Sequence, residues 1–308
     1  MVPPSVAILG LPYFGQMVAG QLGGRGWDAR FHAHPGRDFR GWAKLAPALF
    51  RADIVYLIGS RIEVGSPQDR LLQLRRKPVA IHWVGTDVLI AAEEHARGRV
   101  SQRIATRPTH WCDAPWLVDE LRAVGVRSSH LALPIPFSAS GSPPPLPDQF
   151  RVLLYLPVDS FDREVFDMET ILRLPLEFPG IPFTLIPSPV DTLPAPTPPN
   201  LEARGWVEDM DALYRTITVT IRLTSHDGMS FMMAETLVRE RYAIWTFPLV
   251  GAIRATGFEE TAAALRELLR RHEAGQLGPN RAGRDHVLRD FDPETLLSGL
   301  DTALRALL

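Results

Sequence analysis

Short apolar runs alternate with amphipathic stretches along this chain, and the alternation constrains the fold more than any other feature of the sequence. Between residues 1 and 135 the runs of strand length are Val6–Leu9, Ala29–His32, Ile54–Ile58, Val79–Trp83, Thr109–Cys112 and Ser129–Leu131. This alternation predicts βαβ units around a parallel sheet.

A Ser/Gly/Pro tract, Ser138–Pro147, interrupts the alternation and favours neither a helix nor a central strand. The alternation then resumes with the runs Phe150–Leu156, Phe183–Ile186 and Val219–Leu223. We therefore predict an α/β chain with two Rossmann-like domains, residues 1–137 and 148–308. We expect the last helix, Pro293–Leu308, to pack back on the first domain.

The composition is that of a globular protein and excludes several classes. Of the 308 residues 45% are apolar and 22% charged, and the net charge of −2 argues against a general nucleic-acid binder. A single cysteine, Cys112, allows neither an intrachain disulfide nor a cysteine-based zinc site. The sequence shows neither a signal-peptide pattern nor an apolar run of about 18 residues, so we expect a cytoplasmic protein. Arginines within residues 25–40 indicate a solvated basic face, with peripheral contact to the inner face of a membrane as the alternative.

Two loops of the first domain are candidates for ligand contact. Gly10-x-Pro-x-x-Gly15 follows the first strand, but Pro12 replaces the middle glycine of a dinucleotide fingerprint, and the acidic ribose ligand expected after the second strand is missing. NAD-linked oxidoreduction therefore ranks last. His82, near the carboxyl end of the fourth strand, can hydrogen-bond a sugar or phosphate. Asp87 follows it, either as a helix cap or as an acceptor for hydroxyl groups.

The segment Gly205–Trp245 predicts a turn, a short helix, a buried strand, a polar loop, a helix and a further strand. Its loop Thr224–Gly228 would lie at the carboxyl end of a strand and the amino end of a helix, where ligands bind and backbone N–H groups hold phosphates. Asp227 would lie at the start of that helix, and Glu235 about two turns into it. Asp209-Met-Asp211 has a spacing that can hold a metal-bound nucleotide sugar. Acids that complement the dipole of a first helical turn are the favoured interpretation, and we predict no metal site.

The order and spacing of this segment resemble the donor half of retaining family-four glycosyltransferases of the GT-B fold. The resemblance rests on Gly205-Trp-Val207, Leu213-Tyr214, Val219–Leu223, Asp227-Gly228-Met-Ser230 and Glu235. It implies two Rossmann-like domains whose parallel sheets face each other across an interdomain cleft. The first domain would bind the acceptor and the second the nucleotide-sugar donor.

The resemblance also implies roles for individual residues of the second domain. Glu235 would bind the nucleotide ribose, and Asp227, which stands for a Glu of the family, would contact the transferred sugar. Backbone N–H groups would hold the diphosphate or the sugar hydroxyls, and they belong to Gly228, Met229 and Ser230.

Further contacts would come from the first domain and from arginines. His82 and Gly15 would approach the sugar and the phosphate. The family neutralises the diphosphate with an Arg and a Lys that follow the first strand of the second domain. This chain has no Lys after Lys77, so Arg163 and Arg222 are the expected substitutes.

The implied function is metal-independent transfer of a sugar from a UDP- or GDP-sugar, without a further cofactor, to an acceptor that is a glycan, a lipid or a small molecule. Two alternatives stay open. A nucleotide-sugar epimerase would use His82, Asp87, His226 and Asp227 as acids and bases and would need no acceptor. A non-catalytic protein of the same fold would bind a nucleotide or a sugar without turnover.

Overall fold

The computed structural model describes residues 2–36, 38–137, 142–158 and 165–308, and the chain divides into two compact units. The first unit contains the residues up to Pro136 together with Asp292–Leu308, and the second contains Phe137–Phe291. The C-terminal segment, which the sequence-based division placed in the second domain and expected to pack back on the first, is part of the first unit.

The first unit is built on a parallel sheet of six strands over its described residues. In chain order these are β1 Ser5–Gly10, β2 Asp28–Ala33, β3 Ile54–Ile58, β4 Val79–Trp83, β5 Thr109–Cys112 and β6 Ser129–His130. They pair in the order β2-β1-β3-β4-β5-β6. The connecting helices are α1 Pro12–Gly23, α2 Phe39–Arg51, α3 Pro67–Leu74, α4 Thr86–Ala96, α5 Gln102–Thr106 and α6 Leu117–Ala123.

Burial explains why the central strands of this sheet are apolar at nearly every position, with His82 of β4 as an exception. Every residue of β3 and of β4 is buried, as expected for parallel strands that helices cover on both faces. Where β1 ends beside β3, Gly10 has a φ of 126°, and a Cβ there would lie 1.8 Å from the carbonyl oxygen of Ile58. Only glycine can end β1 in this position.

The second unit repeats the architecture with a different strand order. Its strands are β7 Val152–Leu156, β8 Phe183–Pro187, β9 Leu201–Ala203, β10 Val219–Arg222, β11 Tyr242–Trp245 and β12 Ala252–Arg254. All described pairs are parallel, in the order β12-β11-β10-β7-β8-β9. The helices are α7 Met168–Glu177, α8 Met210–Arg215, α9 Phe231–Val238, α10 Gly257–Glu273 and α11 Arg281–Asp290, with a 3₁₀ turn at Val190–Thr192.

The alternation of side chains along β7 divides the core of the second unit between the two faces of the sheet. Val152, Leu154 and Leu156 pack with buried residues of α7 and α10. Leu153 packs on the other face, with Leu213 and neighbouring residues of α8. Because successive side chains of a strand point to opposite faces, one short strand contributes to both layers.

The last helix, α12 Pro293–Arg305, packs on the first unit through polar contacts as well as apolar ones. The indole N–H of Trp27 donates to Asp301 over 2.6 Å, and Arg25 donates to Ser298 over 3.0 Å. These contacts explain why α12 belongs with the N-terminal residues. No described helix combines the length and apolarity needed to cross a membrane.

Candidate functional site

The strand order of the second sheet reverses between β7 and β10. From β7 the chain adds β8 and β9 on one side, then returns to add β10, β11 and β12 on the other. At such a switch point the loops after the two central strands diverge, and ligands of open α/β sheets bind in the crevice between them. Tyr155 near the end of β7 and Arg222 at the end of β10 lie at this edge.

Arg222 and Asp227, both predicted as site residues, contact each other. The Arg222 Nε donates to Asp227 Oδ2 over 2.6 Å and its Nη2 donates to Oδ1 over 3.0 Å, so the pair is bidentate. Each side chain is 13% exposed. Burial by itself lowers the pKa of the Arg222 guanidinium. The nearby Asp227 carboxylate raises it by more, so the net pKa lies above the ordinary value.

The loop between β10 and α9 is fixed by hydrogen bonds to the segment before α7. The Thr224 hydroxyl donates to the Val165 carbonyl over 2.9 Å, and the Ser225 N–H donates to the same carbonyl over 2.7 Å. Ser230 is the N-cap residue of α9, and its side chain makes no capping hydrogen bond. Residues 228–230 are buried. Their backbone N–H groups, which were predicted to hold the diphosphate or the sugar hydroxyls, lie at the positive end of this helix.

Glu235 lies in α9 and is half-buried. The Tyr214 hydroxyl donates to its Oε2 over 3.2 Å, and Arg239 donates to its backbone carbonyl over 2.7 Å. Burial raises the pKa of the Glu235 carboxyl, although Arg239 and the Tyr214 hydroxyl act in the opposite direction. The acid can accept hydrogen bonds, and its other oxygen, Oε1, accepts none from the described residues.

His82 occupies a core position instead of the exposed position that contact with a sugar requires. It lies within β4 with no exposed surface, and its Nδ1 lies 2.6 Å from the Tyr56 hydroxyl. Burial lowers the pKa of the imidazole to about 3. The ring is therefore neutral at ordinary pH and packs between the strands and helices of the first unit.

Gly15 is required by packing in the first turn of α1. A Cβ at this position would lie 2.3 Å and 2.4 Å from two ring carbons of Phe31 in β2. The space left by the missing side chain of Gly15 is thus filled by the Phe31 ring of the same unit. Arg163, the other predicted phosphate ligand, lies outside the described residues.

Comparison with known proteins supports the fold. No protein-family model and no curated protein sequence matches the chain. HepE from Anabaena, solved with UDP-glucose, matches with a TM-score of 0.72 and 9% identity, over 98% of this chain and 99% of that chain. Sucrose-phosphate synthase from Thermosynechococcus elongatus gives 0.73 and 11%, over 99% of both chains. A trehalose-6-phosphate synthase, studied for glycosyl transfer with retention, gives 0.57 and 12%, over 87% of this chain and 77% of that chain.

The chain has the GT-B fold. This confirms the predicted fold class, two parallel α/β sheets in one chain. In this GT-B chain the two acids of Asp209-Met-Asp211 have structural partners. Asp209 caps α8 by accepting from the Ala212 N–H over 2.8 Å, and Asp211 accepts from Arg239 Nε over 3.0 Å. The capping interpretation is confirmed, and no three His, Cys, Asp or Glu side chains of the described ranges lie close enough to share a metal ion.

Asp87 joins the ends of two strands in the first half of the GT-B fold. Its carboxylate accepts from the N–H groups of Ser60 over 3.3 Å and of Val84 and Gly85 over 3.0 Å each. Burial raises its pKa to about 6, although these backbone donors act in the opposite direction. The carboxylate therefore holds the loop after β3 against the loop after β4.

Proposed function

We propose that this chain is a glycosyltransferase that moves a sugar from a nucleoside diphosphate to an acceptor hydroxyl. The observation that carries the proposal is the cluster at the switch point of the second sheet. There the Arg222–Asp227 pair, the N-terminus of α9 and the half-buried Glu235 follow one another within a single strand–loop–helix unit. HepE, a structural neighbour, was solved with UDP-glucose, which supports a nucleotide sugar as the donor.

Each part of this cluster suits one part of such a donor. Glu235 accepts hydrogen bonds from ribose hydroxyls through its carboxylate oxygens. The N–H groups at the start of α9 attract the diphosphate, because a helix N-terminus carries partial positive charge. Asp227 accepts a hydrogen bond from a hydroxyl of the transferred sugar. The bond from the anomeric carbon to the diphosphate breaks, the acceptor oxygen bonds to that carbon, and the acceptor proton passes to the leaving diphosphate.

We also propose that the reaction proceeds with retention and without a metal ion. Retention is supported by the trehalose-6-phosphate synthase neighbour, whose structure was studied for that stereochemistry. Metal independence is supported by the roles of Asp209 and Asp211, which cap a helix and pair with an arginine. The helix N-terminus and oriented N–H groups would stabilise the leaving diphosphate instead.

The test is a donor screen with the purified chain. UDP- and GDP-sugars are supplied with glycan, lipid and small-molecule acceptors, and the released nucleoside diphosphate is measured with and without EDTA. We expect release that depends on the acceptor, resists EDTA and yields a product with the donor's anomeric configuration by NMR. Release from no donor, or an epimerised donor in the absence of acceptor, would contradict the proposal.

The cellular location of the protein is part of the same proposal. We propose cytoplasmic activity, with peripheral contact to the inner face of the membrane if the acceptor is a lipid. Cell fractionation and co-sedimentation with anionic vesicles test the two statements separately.

A further inference from the structure

The Arg222 guanidinium is engaged by its own chain at the centre of the proposed donor site. Two of its N–H groups donate to the two oxygens of Asp227. Its central carbon lies 4.5 Å from the centroid of the Tyr155 ring and 4.8 Å from that of Phe166. The two ring centroids are 5.4 Å apart, so the guanidinium and the rings form a compact triangle.

This arrangement immobilises Arg222. Turning the guanidinium towards a diphosphate would break both charge-assisted hydrogen bonds and both cation–π contacts. It would also leave the Asp227 carboxylate, only 13% exposed, without its bidentate partner. With two of its five N–H groups on Asp227 and two rings against its guanidinium, Arg222 is held beside that acid and would reach a phosphate only through its remaining three N–H groups.

The same contacts fix the carboxylate. A carboxylate has about four acceptor positions, so a bidentate arginine is compatible with a further hydrogen bond from a sugar hydroxyl. Asp227 is five residues beyond Arg222, in a loop without regular secondary structure, and the pair ties that loop to the end of β10. Arg222 thus contributes to the orientation of the carboxylate.

We propose that Arg222 is a positioning residue, which orients Asp227 for recognition of the transferred sugar and does not bind the donor diphosphate. The proposal rests on the proposed function for the role of Asp227. It predicts that loss of Arg222 weakens binding of the sugar moiety and leaves binding of the nucleoside diphosphate intact. A phosphate ligand would show the opposite pattern.

The experiment measures dissociation constants of UDP and of UDP-glucose by calorimetry for the wild type and for Arg222→Lys, Arg222→Met and Asp227→Asn. The readout is the ratio of the two constants, which reports the contribution of the glucosyl group. We expect UDP affinity to stay within about twofold, and the glucosyl contribution to fall about tenfold in Arg222→Met and Asp227→Asn. Arg222→Lys retains part of it, because lysine keeps the charge without the bidentate geometry.

Arg270→Met is the matched control, since Arg270 makes a similar bidentate pair with Glu267 on the exposed surface of α10. It should change neither constant. In the double variant Arg222→Met/Asp227→Asn the loss should equal that of Asp227→Asn alone, because Arg222 acts through Asp227. Additive losses would refute the positioning role.

Three other outcomes overturn the inference. The first is tenfold weaker binding of UDP itself in Arg222→Met, which makes Arg222 a phosphate ligand. The second is a glucosyl contribution unchanged by every variant, and the third is equal wild-type affinity for UDP and UDP-glucose. Thermal melts show whether each variant is folded. If Arg222→Met is not, the single variants Arg222→Lys and Asp227→Asn are compared instead. The binding ratio needs no turnover, so a protein that binds donors without transferring sugar contradicts the proposed function and leaves this inference standing.

Discussion

Replacing Glu235 by Gln should change nucleotide binding and stability in opposite directions. The substitution keeps the shape of the side chain and an oxygen that can accept from the Tyr214 hydroxyl, now 3.2 Å from Oε2. It removes the negative charge. A single substitution therefore separates the ligand role of this acid from its effect on the fold.

The size of the binding effect follows from the charge-assisted hydrogen bonds that ribose hydroxyls would donate to the carboxylate. Such bonds contribute about 1.5 to 3 kcal/mol, so the dissociation constant of a nucleoside diphosphate should rise roughly 10- to 100-fold. Because burial raises the pKa of Glu235, wild-type affinity should also weaken as the pH falls through that raised pKa. Glu235→Gln should lack this acid limb.

Stability should respond with the opposite sign. A carboxyl whose pKa is higher in the folded than in the unfolded state favours folding below its ordinary value of 4.5, and this contribution is lost as the pH rises through the folded pKa. At pH 7 the ionised Glu235 opposes folding, and Gln does not. Glu235→Gln should therefore melt at a higher temperature than the wild type at pH 7, and the difference should shrink towards pH 4.

The assay combines calorimetric titration with UDP and GDP with thermal melts between pH 4 and pH 8. Glu267→Gln is the control, because Glu267 is an exposed acid of α10 that pairs with Arg270. It should leave nucleotide affinity unchanged and should not stabilise the protein at pH 7. Unchanged nucleotide affinity in Glu235→Gln would refute the ribose assignment, and a lower melting temperature at pH 7 would refute the argument from burial.

Three further predictions concern residues outside that acid. Arg241 is fully buried and donates to the carbonyls of residues 214, 144 and 145 over 2.9–3.1 Å. Arg241→Met leaves these three carbonyls without their donor, at about 1–3 kcal/mol each, so it should lower the free energy of unfolding in urea by about 3 kcal/mol or more. Gly15→Ala should cost about 1–3 kcal/mol in the same assay, because the added Cβ overlaps the Phe31 ring. Adding Phe31→Leu to Gly15→Ala should restore stability. If the double variant still binds nucleotide more weakly than the wild type, a phosphate role for Gly15 is favoured instead. The imidazole of His82 should stay neutral down to about pH 4 in an NMR titration, since burial lowers its pKa to about 3; a midpoint near 6.5 would place the ring in solvent.

The central strands could be predicted from the sequence because their burial leaves a continuous apolar pattern. Ile54–Ile58 and Val79–Trp83 have the same bounds in the sequence prediction and in the structure. Leu201–Ala203 and Ala252–Arg254 were not predicted. Each is a three-residue strand at a sheet edge with no fully buried residue, and only partly buried side chains such as Leu201 and Ile253 join it to the core.

His82 shows how the same reasoning can misplace a side chain. His82, a polar residue near the carboxyl end of an apolar run, was interpreted as a contact to a sugar or phosphate. β4, however, is a central parallel strand with helices on both faces, so every side chain along it is enclosed. Position in the sheet, and not polarity, decides the environment of such a residue.

The site was only partly predictable for a related reason. The polar loop between β10 and α9 is evident as an interruption between an apolar strand and an apolar helix. The pairing of Arg222 with Asp227 is not evident, because it depends on how the loop returns towards the strand. Tyr155 and Phe166 carry no sequence signal either, since aromatic residues at such positions usually belong to the core.

The contrast between fold and site explains how a GT-B fold persists at 9–12% identity to the three structural neighbours described above. Apolar strands of the right length and burial pattern are enough to define the two sheets, and many sequences meet that condition. The proposed donor site depends instead on particular partners, and here Arg222 is held by Asp227 and by two aromatic rings. Among the described residues, the proposed site would attract phosphate chiefly through the backbone N–H groups at the start of α9. Donor affinity in this chain should accordingly be more sensitive to the conformation of the loop Thr224–Gly228 than to the loss of any one described arginine.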